Sequence, residues 1–394
     1  DALTSADNNV AIGYEAGGAL TTGGENVIIG SYAVSTGVLT GAQNIVIGRL
    51  AGQDLTSATK NTIVGWSAAK QATTADENTY IGYLAAGTGI GTSAYNVAIG
   101  NEAAEAATSM SESTVVGYKA ATANTTGSHI LAIGYTAYDV ADTENHNLAI
   151  GTNALGGAVA GGEYNVAVGN YTLDALTSGD HNIAMGYNAG TTLSTGGHNV
   201  VIGNAAGGVI STGGANICIG SDAGNAGTAL TTGDTNIFIG QSINAGASGR
   251  LRSIVIGTTS SSSKGDNTTF ISANGGESFN GANTTTWNQA SDIRIKKNII
   301  DNNTGLDAIN KIQVRNFEYR TLEEITDFDS PEAAMVDKQG TQLGVIAQEI
   351  EEILPNLITE TSQGVKTLNS DNLTWYLINA VKELSAEIKV LKGE

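Results

Sequence analysis

Short apolar triplets punctuate the first two thirds of the chain at a fixed interval. Phrases such as Asn9-Val10-Ala11-Ile12-Gly13 and Asn44-Ile45-Val46-Ile47-Gly48 each end on a glycine, and they recur from Gly13, Gly30 and Gly48 to Gly240 and Gly257. Successive phrases lie about 17 residues apart, a solenoid period. Within each phrase the apolar positions alternate, as Val10 with Ile12 and Ile45 with Ile47. That is the period of a strand, and these Val and Ile side chains are expected to enter one thin core. A second segment, such as Ala19-Leu20-Thr21-Thr22-Gly23-Gly24, joins an apolar residue and β-branched threonines to a glycine turn, which returns the chain to the next rung.

One such coil has too little apolar surface to offset the entropy of ordering it, so the coils must stack. An asparagine usually stands four residues before the glycine, as at Asn26, Asn44, Asn61 and Asn78. Stacked in register, this column can hydrogen-bond along the axis. With strands ~4.8 Å apart, fifteen rungs make a rod on the order of 70 Å long. The predicted fold is mainly β: a parallel β-roll or β-solenoid over 1–257, then a smaller α+β or helical domain ending in a coiled coil.

Composition marks where the pattern ends. The chain has 394 residues, 52 of them glycine, and a formal net charge of -20. Both prolines, 11 of the 18 Lys/Arg and 18 of the 38 Asp/Glu follow Gln289, whereas nearly all the glycine precedes it. Residues 258–290 form a Ser/Thr/Asn-rich neck of short intertwined strands or loose linker, in which Trp287 favours some packing. Residues 291–394 make a second domain. The negative charge opposes nucleic-acid binding. A single cysteine, Cys218, forms no intrachain disulfide and is expected to be packed and inert. No apolar run approaches a bilayer span, so no membrane insertion is expected.

Two resemblances follow from these residues. The unit Ile12-Gly13-Tyr14-Glu15-Ala16 resembles the hexapeptide β-helix and, more closely, the head repeat of trimeric autotransporter adhesins, a parallel β-roll that associates as a trimer. The longer period here departs from both. In the second domain, Ser291-Asp292-Ile293-Arg294-Ile295-Lys296-Lys297-Asn298-Ile299 resembles the opening motif of the endosialidase-type intramolecular chaperone, the peptidase S74 domain. Downstream, Leu343-Gly344-Val345-Ile346-Ala347-Gln348-Glu349-Ile350 with Pro355 resembles that family's G-x-x-A-Q-E helix, and Trp375 through Leu384 its closing helix.

This resemblance implies a trimeric chaperone that nucleates assembly of a β-rich phage tail fibre or tailspike and then severs itself. The implied cut is Ala290-Ser291, with Ser291 as nucleophile and Lys296 as general base. The local chemistry agrees, because a lysine amine held in a desolvated site can take the serine proton. On a helix beginning at Ser291, Lys296 lies little more than one turn on, and helix-start amides there could help stabilise an oxyanion. Asp292 would cap that helix or hold Arg294. At the C-terminus, Leu377, Val381, Leu384, Ile388 and Leu391 follow the a/d spacing of a coiled coil. Since this stretch is short for a trimer, Ile346, Ile350 and Leu354 are expected to add packing between chains.

Other chemistry is weaker. His146, His181 and His198 share one repeat position, which reads better as a polar turn column than as a metal site. Turn acids such as Glu25, Glu77, Asp180 and Asp234 lack calcium-loop spacing, and the glycine pairs lack a nucleotide-loop context. No cofactor or metal is expected. The leading functional reading is a homotrimeric tail fibre of the virion, assembled in the host cytoplasm, whose rod binds a host-surface receptor, most plausibly a glycan. The alternatives are a bacterial surface adhesin or extracellular injection-system fibre, and a polysaccharide depolymerase; the last needs a pair of converging carboxylates that the repeats do not single out. An ice-binding face on the threonine columns is a further, weaker alternative.

Overall fold

The computed structural model describes residues 7–18, 20–88, 91–257, 261–273, 276–280, 287–288, 293–327, 335–336, 338–361 and 364–393. The chain divides into two compact units, Asp1–Ala290 and Ser291–Glu394.

The first unit is a parallel β-solenoid. Its strands β1 (Val10–Ile12), β2 (Val27–Ile29), β3 (Ile45–Ile47) and onward to β15 (Ile254–Gly257) pair in sequence order without a register shift. Val10 lies beside Val27, and Val27 beside Ile45. A sixteenth parallel strand, β16 (Thr269–Ala273), stacks on β15 with Phe270 beside Val255. The stack therefore runs one strand past residue 257. Antiparallel strands β17 (Gly276–Asn280) and β18 (Trp287–Asn288) follow it.

The alternation within each triplet is present, but its phase is the reverse of that expected. From β2 onward the central residue of the triplet is buried, as are Ile28, Val46, Ala98, Cys218 and Phe238, while the flanking Val and Ile point outward. Ile45 remains 43% exposed and Ile183 40%. The asparagine sets this phase. Asn26, Asn44 and their equivalents lie inside the coil, so alternation sends the next residue out and the one after it in. The interior is narrow, and six of the fifteen central residues are alanine. Alanines three residues past the glycine (Ala33, Ala51, Ala68) and a leucine column (Leu39, Leu55, Leu193) fill the rest.

The asparagine column is a continuous internal ladder. Asn26 Oδ1 accepts from both the backbone amide and the side-chain amide of Asn44, each at 2.9 Å, and Asn44 Nδ2 also donates to the carbonyl of Ala58 at 2.8 Å. Each rung repeats the arrangement up to Asn96. There Ser113 takes the asparagine position and Ile130 the next, with the Ile130 amide donating to Ser113 Oγ at 3.0 Å. The ladder resumes at Asn147, whose Nδ2 donates to the hydroxyl of buried Tyr138 at 3.0 Å. Tyr138 in turn donates to the carbonyl of Glu144. Successive rungs approach closely at the terminal glycine of each phrase. Gly48 has φ of +139°, and a Cβ there would lie 2.1 Å from the carbonyl oxygen of Gly65, which excludes every other residue.

The second unit is small and mixed. Helices α1 (Leu306–Lys311), α2 (Ala347–Ile353) and α3 (Ser370–Lys392) accompany two short antiparallel pairs, β19 (Arg315–Phe317) with β20 (Gln342–Gly344) and β21 (Ile358–Glu360) with β22 (Lys366–Leu368). Its core gathers Ala308, Ile350, Leu354, Leu357 and Tyr376. Among the described residues, no helix is long and apolar enough to cross a membrane.

Two outcomes test this architecture. Asn182→Ala removes the amide bonds to Asn165 Oδ1 and the Gly196 carbonyl and leaves the Asn199 amides without their acceptor, so it should cost about 1–3 kcal/mol. Exposed Asn204→Ala should stay within ~0.5 kcal/mol of wild type, both read by urea denaturation. Burial pushes the Cys218 thiol up to about 12, so a thiol reagent at pH 8 should label it only after unfolding; rapid labelling of the native protein would contradict the packing.

Candidate self-processing site

The candidate chemistry lies where the two units meet in sequence. Ala290, Ser291 and Asp292 fall outside the described residues. Lys296 is described and its side chain is exposed in the single chain. The helix expected over 291–296 is not what its described part shows. Ile293–Ile295 form one 3-10 turn, closed by the Lys296 amide donating to the Ile293 carbonyl at 3.2 Å. β-Branched Ile293 and Ile295 disfavour a longer helix, and three residues past the turn Asn298 adopts a left-handed φ of 55°.

The chain beyond Lys296 is exposed until it reaches α3. There Asn379 Nδ2 donates to the carbonyls of Asn302 (2.6 Å) and Thr304 (3.1 Å). Glu383 Oε2 accepts from the backbone amide of Leu306 at 2.6 Å, placing a carboxylate at the start of α1, where the exposed amides and helix dipole favour negative charge. Gly305 allows this approach, since a Cβ there would sit 2.6 Å from Glu383 Oε1 and 2.8 Å from the Ala380 amide nitrogen. One side of α3, carrying Tyr376, Ala380 and Glu383, is thus committed to its own unit.

The coiled-coil residues lie on the neighbouring flank, about a quarter turn round the helix. Leu377, Val381, Leu384, Ile388 and Leu391 are all exposed, Val381 at 66% and Leu391 at 85%. The helix is well terminated, with Asn369 accepting from the Asn372 amide at its start and Gly393 in the left-handed region at its end. The expected support from α2 is corrected. Ile350 and Leu354 are buried in the core of their own unit, because α2 is a two-turn helix whose apolar stripe faces that core; Ile346 alone of the three is exposed. The motif glutamate has a structural partner, since Glu349 receives two hydrogen bonds from the Arg315 guanidinium at 2.8 and 3.3 Å and ties α2 to β19.

On the solenoid, the histidine column is longer than the sequence reading found. His129, His146, Tyr164, His181 and His198 stack ring on ring at 4.6–5.0 Å. His129 was identifiable as the residue preceding the ladder position at Ile130, one of the rungs that lack the marking asparagine. Rings this nearly parallel hold their in-plane lone pairs side by side instead of converging them, and the stack is a packing feature of the turn. Among the described residues no group of three His, Cys, Asp or Glu side chains converges as a metal site would require.

Comparison with known proteins bears on the second unit. Residues 291–359 match the peptidase S74 family model, described as the chaperone of endosialidase. The match includes the Ser291–Ile299 motif and α2, and it ends before α3. No curated protein matches the chain at a significant level. The family match supports an autoproteolytic chaperone activity in general terms, and with the solenoid it fits a fibre or tailspike type of protein. The C-terminal unit thus opens with a segment that matches the chaperone-of-endosialidase model of the peptidase S74 family, and a repeat β-solenoid precedes it.

Proposed function

We propose that this chain is a homotrimeric tail-fibre rod of a virion whose C-terminal unit aligns three copies and is then cut away at Ala290-Ser291. The rod would engage a host-surface receptor, with a glycan the best match to half-exposed ring pairs such as Trp66–Tyr83 and Tyr118–Tyr135. The observation that carries the trimer is the free apolar face of α3. Five a/d side chains stand in solvent, the first three on the flank of a helix packed through Tyr376 and Ala380 and the last two on a stretch exposed all round, and a monomer gains nothing from that arrangement.

In the proposed reaction Ser291 Oγ attacks the carbonyl carbon of Ala290 while Lys296 Nζ takes the hydroxyl proton. The C–N bond breaks, its nitrogen leaves as the amine of Ser291 with the proton returned from Lys296, and an ester joins Ala290 to Ser291 Oγ. Water then hydrolyses the ester to the Ala290 carboxylate and free serine. A lysine works as a base where its surroundings disfavour the ammonium form. Lys296 is exposed in one chain, so assembly of three would supply the enclosure, and cutting would wait for folding. The division of the chain into compact units at Ala290/Ser291 supports the position of the cut, because each product retains its own core.

Mass spectrometry of the expressed chain should find a fragment beginning at Ser291, and Ser291→Ala or Lys296→Ala should each slow its appearance by about 10³-fold or more. An intact wild-type chain after folding would remove the protease. Replacing Val381 and Leu384 together by aspartate should give monomers in sedimentation and stop the cut; trimers that persist would show that α3 is not the clamp.

A further inference from the structure

The outward residues of the solenoid strands form an apolar strip that the fold of one chain leaves partly accessible, with Val10, Ile12, Ile45, Ile183, Met185 and Ile256 the most exposed. Strands β1–β15 offer thirty outward positions, and among them Thr62, Thr79 and Thr114 are polar, the rest are Val, Ile, Leu or Met, and none is charged. In a chain of net charge -20 this is a strong bias. The sizes are also inverted, with alanine frequent at the enclosed central position and branched side chains outside it. A solvent-facing sheet would carry the opposite assignment.

We infer that this strip is the contact surface between copies of the same chain, so that the three rods pack strand face to strand face along their length. The inference rests on the trimer proposed above and adds where the rods meet. At ~4.8 Å per rung the strip is about 70 Å long, and two side-chain columns make it about 10 Å wide, or about 700 Å². That exceeds the largest apolar patch usual on a monomer and approaches the ~800 Å² that each partner contributes to a stable interface. The occupant is a second copy because only a rod of equal rung spacing matches the columns over that length. It is also the partner that the free face of α3 brings alongside. Two chains of like charge can approach on this face, since it carries none of their charge.

Ile183 and Met185, both at the open surface of β11 (Ile183–Met185), supply the test. Ile183→Cys and Met185→Cys are each made in the full chain, beside Ser178→Cys on an exposed turn of the same coil. Buried Cys218 does not compete for reagent. A short bis-maleimide should join the 183 and 185 variants into covalent dimers and leave the 178 variant as single chains on a denaturing gel. If sedimentation shows trimers but the strand variants cross-link no more than the turn variant, the trimer stands and this assignment of its surface is overturned. A wild-type chain that sediments as a monomer overturns both.

Discussion

The structure depends on how closely one rung lies on the next. A glycine whose missing Cβ would fall 2.1 Å from the carbonyl of the following rung fixes the spacing, and an asparagine four residues earlier fastens each rung to its neighbour from inside. Neither device works in a single coil. The hydrogen bonds of Asn44 go to Asn26 on one side and to the Ala58 carbonyl on the other, so every rung is completed by its neighbours. Stability of this kind is a nearest-neighbour property, and it favours a long stack over a short one.

The same spacing explains the division of side chains. A coil this narrow has room for an asparagine, one central residue per strand, and small or single leucine side chains from its other walls. The branched residues therefore go outside, and the rod solves its interior with little apolar bulk. Much of the hydrophobic content of the sequence is left on one face of the sheet, and the second unit likewise leaves apolar side chains of α3 bare, packing only its first half.

The period of 17, the in-register parallel pairing, the packed cysteine and the change of architecture near 290 were all legible in the sequence, because each repeats or breaks a visible pattern. Which residues face inward was not read correctly, although the means were present. An asparagine ladder running along the axis and strict alternation cannot both hold unless Val10 and Ile12 point outward; hydrophobicity alone suggested the reverse. In the second unit the a/d spacing gave the free face of α3, but spacing cannot show that Ile350 and Leu354 are spent on their own core. The seat formed by Asn379, Glu383 and Gly305 carries no sequence signature, since it joins residues about 77 apart through backbone atoms.

Near-identical rungs carry a hazard: a stack displaced by one coil satisfies almost every contact it makes when aligned. The interruption at Ser113 and Ile130, answered by the Tyr138 hydroxyl bonded to Asn147, occupies two successive rungs, and Ser253 takes the asparagine position on a later one. Misplaced by one coil, an asparagine rung would meet Ser113 or Ile130, neither of which offers the side-chain amide oxygen that the regular ladder bonds. Such irregularities mark particular levels in a nearly uniform column, so that one alignment of the coils differs from its neighbours.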